Sequence, residues 1–226
     1  MKKHLSRMNA LKSWPVSRKE TKWITKPSPG PHPLKLCIPI NIVLKNILNY
    51  AKTTIEVKKI LNNKDVLVDK KVIKDHKHPL GLFDILEFPK INEYFRVIIS
   101  ENGKFILQPI KKEDTSTKIC KIIGKTILKG NKLQINLYDS KNILVDKDEY
   151  KVGDSIILDL EQRKIKSHLK LEKNTSIYLT GGKPVGKTGT LEKIEKDVIT
   201  VNIDKKKIKT SKRYAFVIPK DLIKND

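Results

Sequence analysis

Long apolar runs are missing from this chain. None approaches the roughly 18 consecutive apolar residues of a membrane-spanning helix, and the opening MKKHLSRMNALKSWP has no apolar signal core. A soluble, cytoplasmic protein without a membrane partner is therefore expected. Cysteine is scarce: Cys37 and Cys120 stand far apart with no C-x-x-C, which excludes a disulfide framework and a thiolate zinc site and leaves two small half-buried thiols. His76 and His78 form H-x-H in a charged loop with no second ligand cluster nearby, and are read as solvated; His4, His32 and His168 are isolated. No Ser, His and Asp arrangement with motif support appears, and Asp146, Asp148 and Glu149 read as a charged turn. Neither catalysis nor a cofactor is expected.

Acid is the shortage that decides most. Asp and Glu total 25 against 48 Lys plus Arg, a net charge of +23. A compact chain so charged repels itself unless a polyanion offsets it, and nucleic acid is the obvious one. Only five of those cations are arginine, namely Arg7, Arg18, Arg96, Arg163 and Arg213.

Residues 1–36 read as a basic arm. Up to residue 35 it holds seven lysines and two arginines against Glu20 alone, lacks sustained periodicity and ends in a proline-rich tract. Trp14 and Trp23 interleave with the cations, a composition suited to following a phosphate backbone and stacking on exposed bases. Such an arm is expected to be mobile until RNA orders it.

The clearest helical signal follows. Ile40, Val43, Leu44, Ile47, Leu48 and Ala51 form one apolar stripe, with Asn41, Lys45, Asn46 and Lys52 off it. Thr53 and Glu56 have capping-box spacing before a second helix carrying Val57, Ile60 and Leu61 inward and Lys58 and Lys59 beside them. VLVDKKVI (66–73) predicts a β-hairpin and LFDILEF (82–88) a strand. From residue 94 the pattern is nearly all β, beginning with a hairpin about Glu101-Asn102-Gly103 built on a tight primed turn. Strands are predicted at 118–128, 132–139, 154–160 and 164–171, then as SIYLTGG, TGTLEKI, DVITVNI and RYAFVI, spacing that favours a small barrel.

GGKPVGKTG, residues 181–189, has the G-x-x-x-x-G-K-T spacing of a nucleotide-cradling loop. That chemistry needs a helix starting at the Lys-Thr and a later strand whose Asp holds Mg²⁺. Gly189 falls in the first turn of any such helix, DVITVNI alternates like a strand, and too little chain follows for further βαβ units. The glycines are read as turns between barrel strands, with Lys183 and Lys187 offered to phosphate as point charges.

The run HLSRMNALKSWPVSRKETKWITKPSPGPHPLKLCIPINIVLKNILNYAKTTIEVKKIL, followed by VLVDKKVIKDHKHPLGLFDILEF, resembles the e-type, archaeal and eukaryotic, family of small-subunit ribosomal protein four, over essentially the whole chain. The resemblance implies an α+β, multi-domain, mostly β protein without enzymatic activity. Its parts would be the arm (1–36), a small two-helix-plus-hairpin RNA-binding module (37–93), a central β domain (94–170) and an SH3-like KOW barrel (171–226), whose glycine turn is TGGKPVGKTGTLEKI. It implies a ribosomal location, small-subunit (16S-type) rRNA and neighbouring ribosomal proteins as partners, and no homo-oligomer. Where relatives commonly carry Asp-Gly-Lys at the hairpin turn, this chain has Asp69-Lys70-Lys71, which puts lysine where positive φ is expected. Ending at Asp226 without the longer eukaryotic tail, the sequence looks archaeal. Candidate RNA contacts are Lys2, Lys3, His4, Arg7, Lys12, Trp14, Arg18, Lys22, Trp23, Lys26 and His32 in the arm. Lys45, Asn46, Lys58, Lys59, Lys70 and Lys71 join them from the module, and Lys183 and Lys187 from the barrel. The alternative is an RNA-modifying enzyme, pseudouridine-synthase-like, carrying the same module; such enzymes append a large catalytic domain.

Overall fold

The computed structural model describes residues 4–145, 148–203, 206–219 and 222. Two compact units emerge: Met1–Ile99 with Gly103–Lys118, and Ser100–Asn102 with Ile119–Asp226. The architecture is α+β and mostly β.

In the first unit the arm is folded rather than free. Its strands β1 (Leu5–Ser6) and β2 (Trp23–Ile24) pair antiparallel. Trp14 is only 2% exposed and its indole Nε1 donates to the Cys37 carbonyl at 2.7 Å. Arg7 ties the loop between the strands, donating to the Ser17 carbonyl, to Thr21 Oγ1 at 2.9 Å and to Glu20. The expected mobile arm is thus corrected: the tryptophan that was to meet RNA instead buries apolar area and a satisfied N–H, enough to hold a segment without periodicity.

Strand β3 (Cys37–Pro39) leads into α1 (Ile40–Ile42), which continues as a π-helical turn over Val43–Ile47. The Leu48 N–H reaches back to the Val43 carbonyl at 3.0 Å, and Asn49 then turns left-handed with φ 57. The apolar stripe therefore outruns the regular helix, although Ala51 still faces the core. Helix α2 (Thr54–Asn62) carries the expected capping box, with Thr53 Oγ1 accepting from the Glu56 N–H. Next come β4 (Leu67–Val68), β5 (Lys71–Val72), β6 (Pro79–Gly81), which pairs with β3, β7 (Ile85–Phe88), β8 (Glu93–Ile99) and β9 (Phe105–Pro109). Five of these form a sheet in the order β5-β4-β7-β8-β9. Asp69 (φ 49) and Lys70 (φ 63) both occupy the left-handed region at the β4–β5 turn, as the sequence foreshadowed. The β8–β9 connection differs from expectation: it runs over residues 100–104, with Ile99 opposite Phe105, rather than as a two-residue primed turn.

The first unit also holds a buried ionic cluster. Lys118 Nζ donates to Asp84 at 2.5 Å and Asp69 at 2.6 Å, His32 Nε2 lies 3.0 Å from Asp84, and the Gly81 N–H adds a further bond to Asp84. Burial alone would raise the Asp84 pKa, but Lys118 and then His32 overcome it and hold it well below the ordinary carboxylate range.

The second unit contains two five-stranded sheets. Strands β10 (Thr117–Ile127), β11 (Leu133–Leu137), β12 (Asn142–Val145), β13 (Ser155–Asp159) and β14 (Ile165–Leu169) are ordered β12-β11-β10-β13-β14. Strands β15 (Ser176–Leu179), β16 (Thr188–Glu195), β17 (Val198–Ile203), β18 (Lys206–Ser211) and β19 (Ala215–Val217) are ordered β18-β17-β16-β15-β19, closing around Ile177, Leu179, Leu191, Ile199, Val201 and Ala215. Two edge strands, β12 and β18, went unpredicted. In β18 (KKIKTS) most side chains are lysine or hydroxyl, and an edge strand needs little apolar signal.

Candidate nucleic-acid interface

Arm and helical segment enclose a cleft of about 640 Å³ in the first unit. It follows from the off-stripe residues of the helical pattern. Ile40, Val43 and Leu44 turn into the core and leave Asn41, Lys45 and Asn46 on the side facing β2. The π turn widens the backbone here, as such turns often do at sites. Beyond it the capping box positions Lys52, whose backbone N–H donates to Glu56 at 2.7 Å and whose side chain lines the cleft. That N–H, then the Thr53 hydroxyl and the Thr53 N–H, hold the Glu56 carboxyl below its usual range.

Trp23 supplies the aromatic wall. It is 53% exposed, with Lys22 Nζ 5.3 Å from the ring centroid and the His4 ring 5.6 Å away. Asn41, also in the lining, is 4% exposed; its Nδ2 donates to Thr25 Oγ1 at 2.6 Å and lies 3.5 Å from Thr54 Oγ1, while among the described residues no group donates to its Oδ1. The cleft thus gathers four sequence-predicted residues, Arg7, Trp23, Lys45 and Asn46, and adds Asn41 and Lys52, which were missed. Their signal was present: both had been noted off the apolar stripe.

Lys58 and Lys59 stand exposed on α2, and Lys71 on β5. His76, beside Lys58, is pushed below the ordinary imidazole range by burial and then by that lysine. Lys12, Arg18 and Lys22 are exposed in the arm, Arg18 donating to the Ala10 carbonyl at 3.2 Å, and Lys26 is half-buried. Four candidates turn inward. Trp14 and His32 are core residues, Arg7 is 8% exposed within its arm network, and Lys70 donates to Glu87 at 3.0 Å and Thr115 at 2.8 Å. Lys2 and Lys3 lie outside the described residues.

In the second unit the glycine segment is a turn between antiparallel β15 and β16, and the lysine-threonine pair opens a strand, not a helix. Gly182 (φ 84) and Gly186 (φ 77) take left-handed conformations, and a Cβ on Gly186 would collide with the Ser100 carbonyl. The Tyr214 ring lies so close to Gly181 that a Cβ there would come within 2.6 Å of it. Lys183 is exposed; Lys187 is half-buried, 3.5 Å from the Glu101 carboxylate. Among the described residues no group of three or more His, Cys, Asp or Glu is arranged to hold a metal ion, and no helix is long and apolar enough to cross a membrane.

These features define a class: a strongly basic, mostly β protein with exposed cations around one aromatic, polar cleft and one glycine turn. Comparison with known proteins narrows it. Residues 1–35 match the RS4NT domain and residues 91–165 the ribosomal family S4e. The chain is 39% identical to a small ribosomal subunit protein eS4 of Methanosphaera stadtmanae, covering 97% of this chain and 93% of that one. It is likewise 39% identical to that of Methanocella arvoryzae, covering 96% and 94%. The crystal structure of the 30S ribosomal protein S4e from Thermoplasma acidophilum superposes with a TM-score of 0.69 at 28% identity, over 82% of this chain and 95% of that one. The chain belongs to the S4e family of ribosomal proteins.

Proposed function

We propose that this chain is a structural constituent of the small ribosomal subunit, acting in the cytoplasm without enzymatic activity, and that it binds small-subunit rRNA beside neighbouring ribosomal proteins as a single copy. The carrying observation is the near-full-length likeness to eS4 proteins, joined to a net charge of +23. Ribosomal RNA is the polyanion that offsets this charge.

Three surfaces share the work. The arm and two-helix-plus-hairpin module present Trp23, Lys45, Asn46, Lys58, Lys59 and Lys71, a reading supported by the order of α1, α2 and the β4–β5 hairpin and by the cleft between arm and helix. The closing segment is an SH3-like barrel with a KOW turn: β15 to β18 run as a meander, and β19 returns beside β15 after the short helical turn Lys212–Tyr214. Its Lys183 and Lys187 meet phosphate at the rim. Side chains cannot read the deep groove of A-form RNA, so unpaired bases and 2′-hydroxyls supply the specificity.

Filter binding to in vitro transcribed small-subunit rRNA tests this. If about six to ten phosphates are neutralised, affinity falls by roughly 10³- to 10⁵-fold between about 50 and 200 mM salt. Salt-insensitive or absent binding, or base modification of the RNA during incubation, defeats the proposal.

A further inference from the structure

Resting on the RNA-binding role proposed above, we infer that the cleft between β2 and α1 is a pocket for one unpaired nucleotide, with its base stacked on Trp23 and an N–H of its edge donated to Asn41 Oδ1. Buried polar atoms almost always find partners, and an orphan acceptor calls for an explanation. Asn41 Oδ1 is such an atom: the residue is 4% exposed, its amide nitrogen is engaged by Thr25, and its oxygen has no donor among the described residues. Asn41 lines a cleft whose volume falls in the range that accepts a small-molecule-sized group.

The walls specify what enters. Trp23 is a largely exposed indole of the kind on which bases stack. Lys45 and Lys52 line the cleft, and Lys22 sits over the indole, so cations surround the place where the phosphates flanking a stacked base would lie. Glu20, the acidic residue of the lining, is ion-paired to Arg7 and so does not oppose an anion. An apolar peptide side chain would leave Asn41 Oδ1 unpaired and would not use the lysines. A nucleobase with an N–H edge satisfies both.

The test uses the full chain bound to small-subunit rRNA, with affinity measured against salt and nucleotide protection read by chemical footprinting. Trp23→Ala is expected to weaken binding by about ten-fold or more, as loss of one stacked base does, with the salt slope unchanged and one unpaired nucleotide losing protection. Trp23→Phe should restore most of the affinity. Asn41→Leu should expose that same nucleotide; because Asn41 is buried, its melting curve is recorded alongside, and Trp23→Ala, at an exposed position, decides should the leucine variant unfold. Wild-type binding that is salt-steep, with Trp23→Ala leaving affinity and footprint intact, overturns the pocket while sparing the RNA-binding role, and assigns the cleft to a protein neighbour. Wild-type chain that fails to bind rRNA overturns both.

Discussion

Two lysines three residues apart on β10 are both buried, and they belong to different units. Lys118, in the first, is 2% exposed and faces the carboxylates of Asp69 and Asp84. Lys121, in the second, is 8% exposed and faces no carboxylate among the described residues; its Nζ donates to the backbone carbonyls of Lys212, Arg213 and Ala215 at 3.1, 3.0 and 2.6 Å. Full opposite charge balances the first. Dipoles alone balance the second only in part, and burial, aided by Lys212, pulls its pKa down to about 8. A chain with this much lysine has turned some of it to folding, and how each unit did so decides which cations stay exposed.

Lys118→Met breaks the comparison most forcefully. It removes the ammonium that balances Asp69 and Asp84 and leaves them to His32 and backbone N–H groups, and removing one partner of a buried ionic cluster costs about 3–5 kcal/mol. Chemical denaturation should show that loss, and a cost under about 1 kcal/mol would mean that water reaches Asp84.

Lys121 is probed through pH. Its pKa is lowered in the folded state, so between about pH 8 and the ordinary lysine range the unfolded chain binds a proton that the folded chain has released. Stability from this group therefore rises with pH across that window. Relative to Lys121→Met, the wild type should gain on the order of 3 kcal/mol from below pH 8 to above the ordinary lysine value, at 1.36 kcal/mol per pKa unit. A difference flat with pH would show that the three carbonyls hold the ammonium as well as water does.

The same residues show what the sequence made legible. Periodicity gave the capping-box helix, the β4–β5 hairpin and most strands, because local patterns carry them. Nothing in the sequence marks Lys118 and Lys121 as buried, since their partners lie far along the chain, at Asp69 and Asp84 for one and at 212–215 for the other. Trp14 and His32 failed likewise: the basic context pointed to RNA, while the Cys37 carbonyl and Asp84 that claim them are visible only in three dimensions. Asn41 lay in plain view off the stripe, but its orphan oxygen is a property of packing.

Gly186→Ala tests whether the turn is a fixed platform for its lysines. A left-handed φ costs a Cβ-bearing residue roughly 1–2 kcal/mol, and here the Cβ also meets the Ser100 carbonyl, so the cost should sit at or above the top of that range in thermal unfolding. Gly182→Ala, at φ 84 but with its nearest contact at 3.5 Å, should cost less.

Lys183→Ala is the smallest change and the counterpart to both buried lysines. Lys183 is exposed and has no ion pair among the described residues, so the fold has no claim on it. The variant should melt with the wild type. If its ammonium neutralises one phosphate, the slope of log affinity against log salt should fall by about 0.7–0.9, uniformly across RNA sequences. Lys187→Ala should give a shallower loss, because the Glu101 carboxylate 3.5 Å away already offsets part of that charge. Equal slopes for wild type and Lys183→Ala would remove the glycine turn from the RNA surface and leave recognition to the arm and helices, where the aromatic and the acceptor are found.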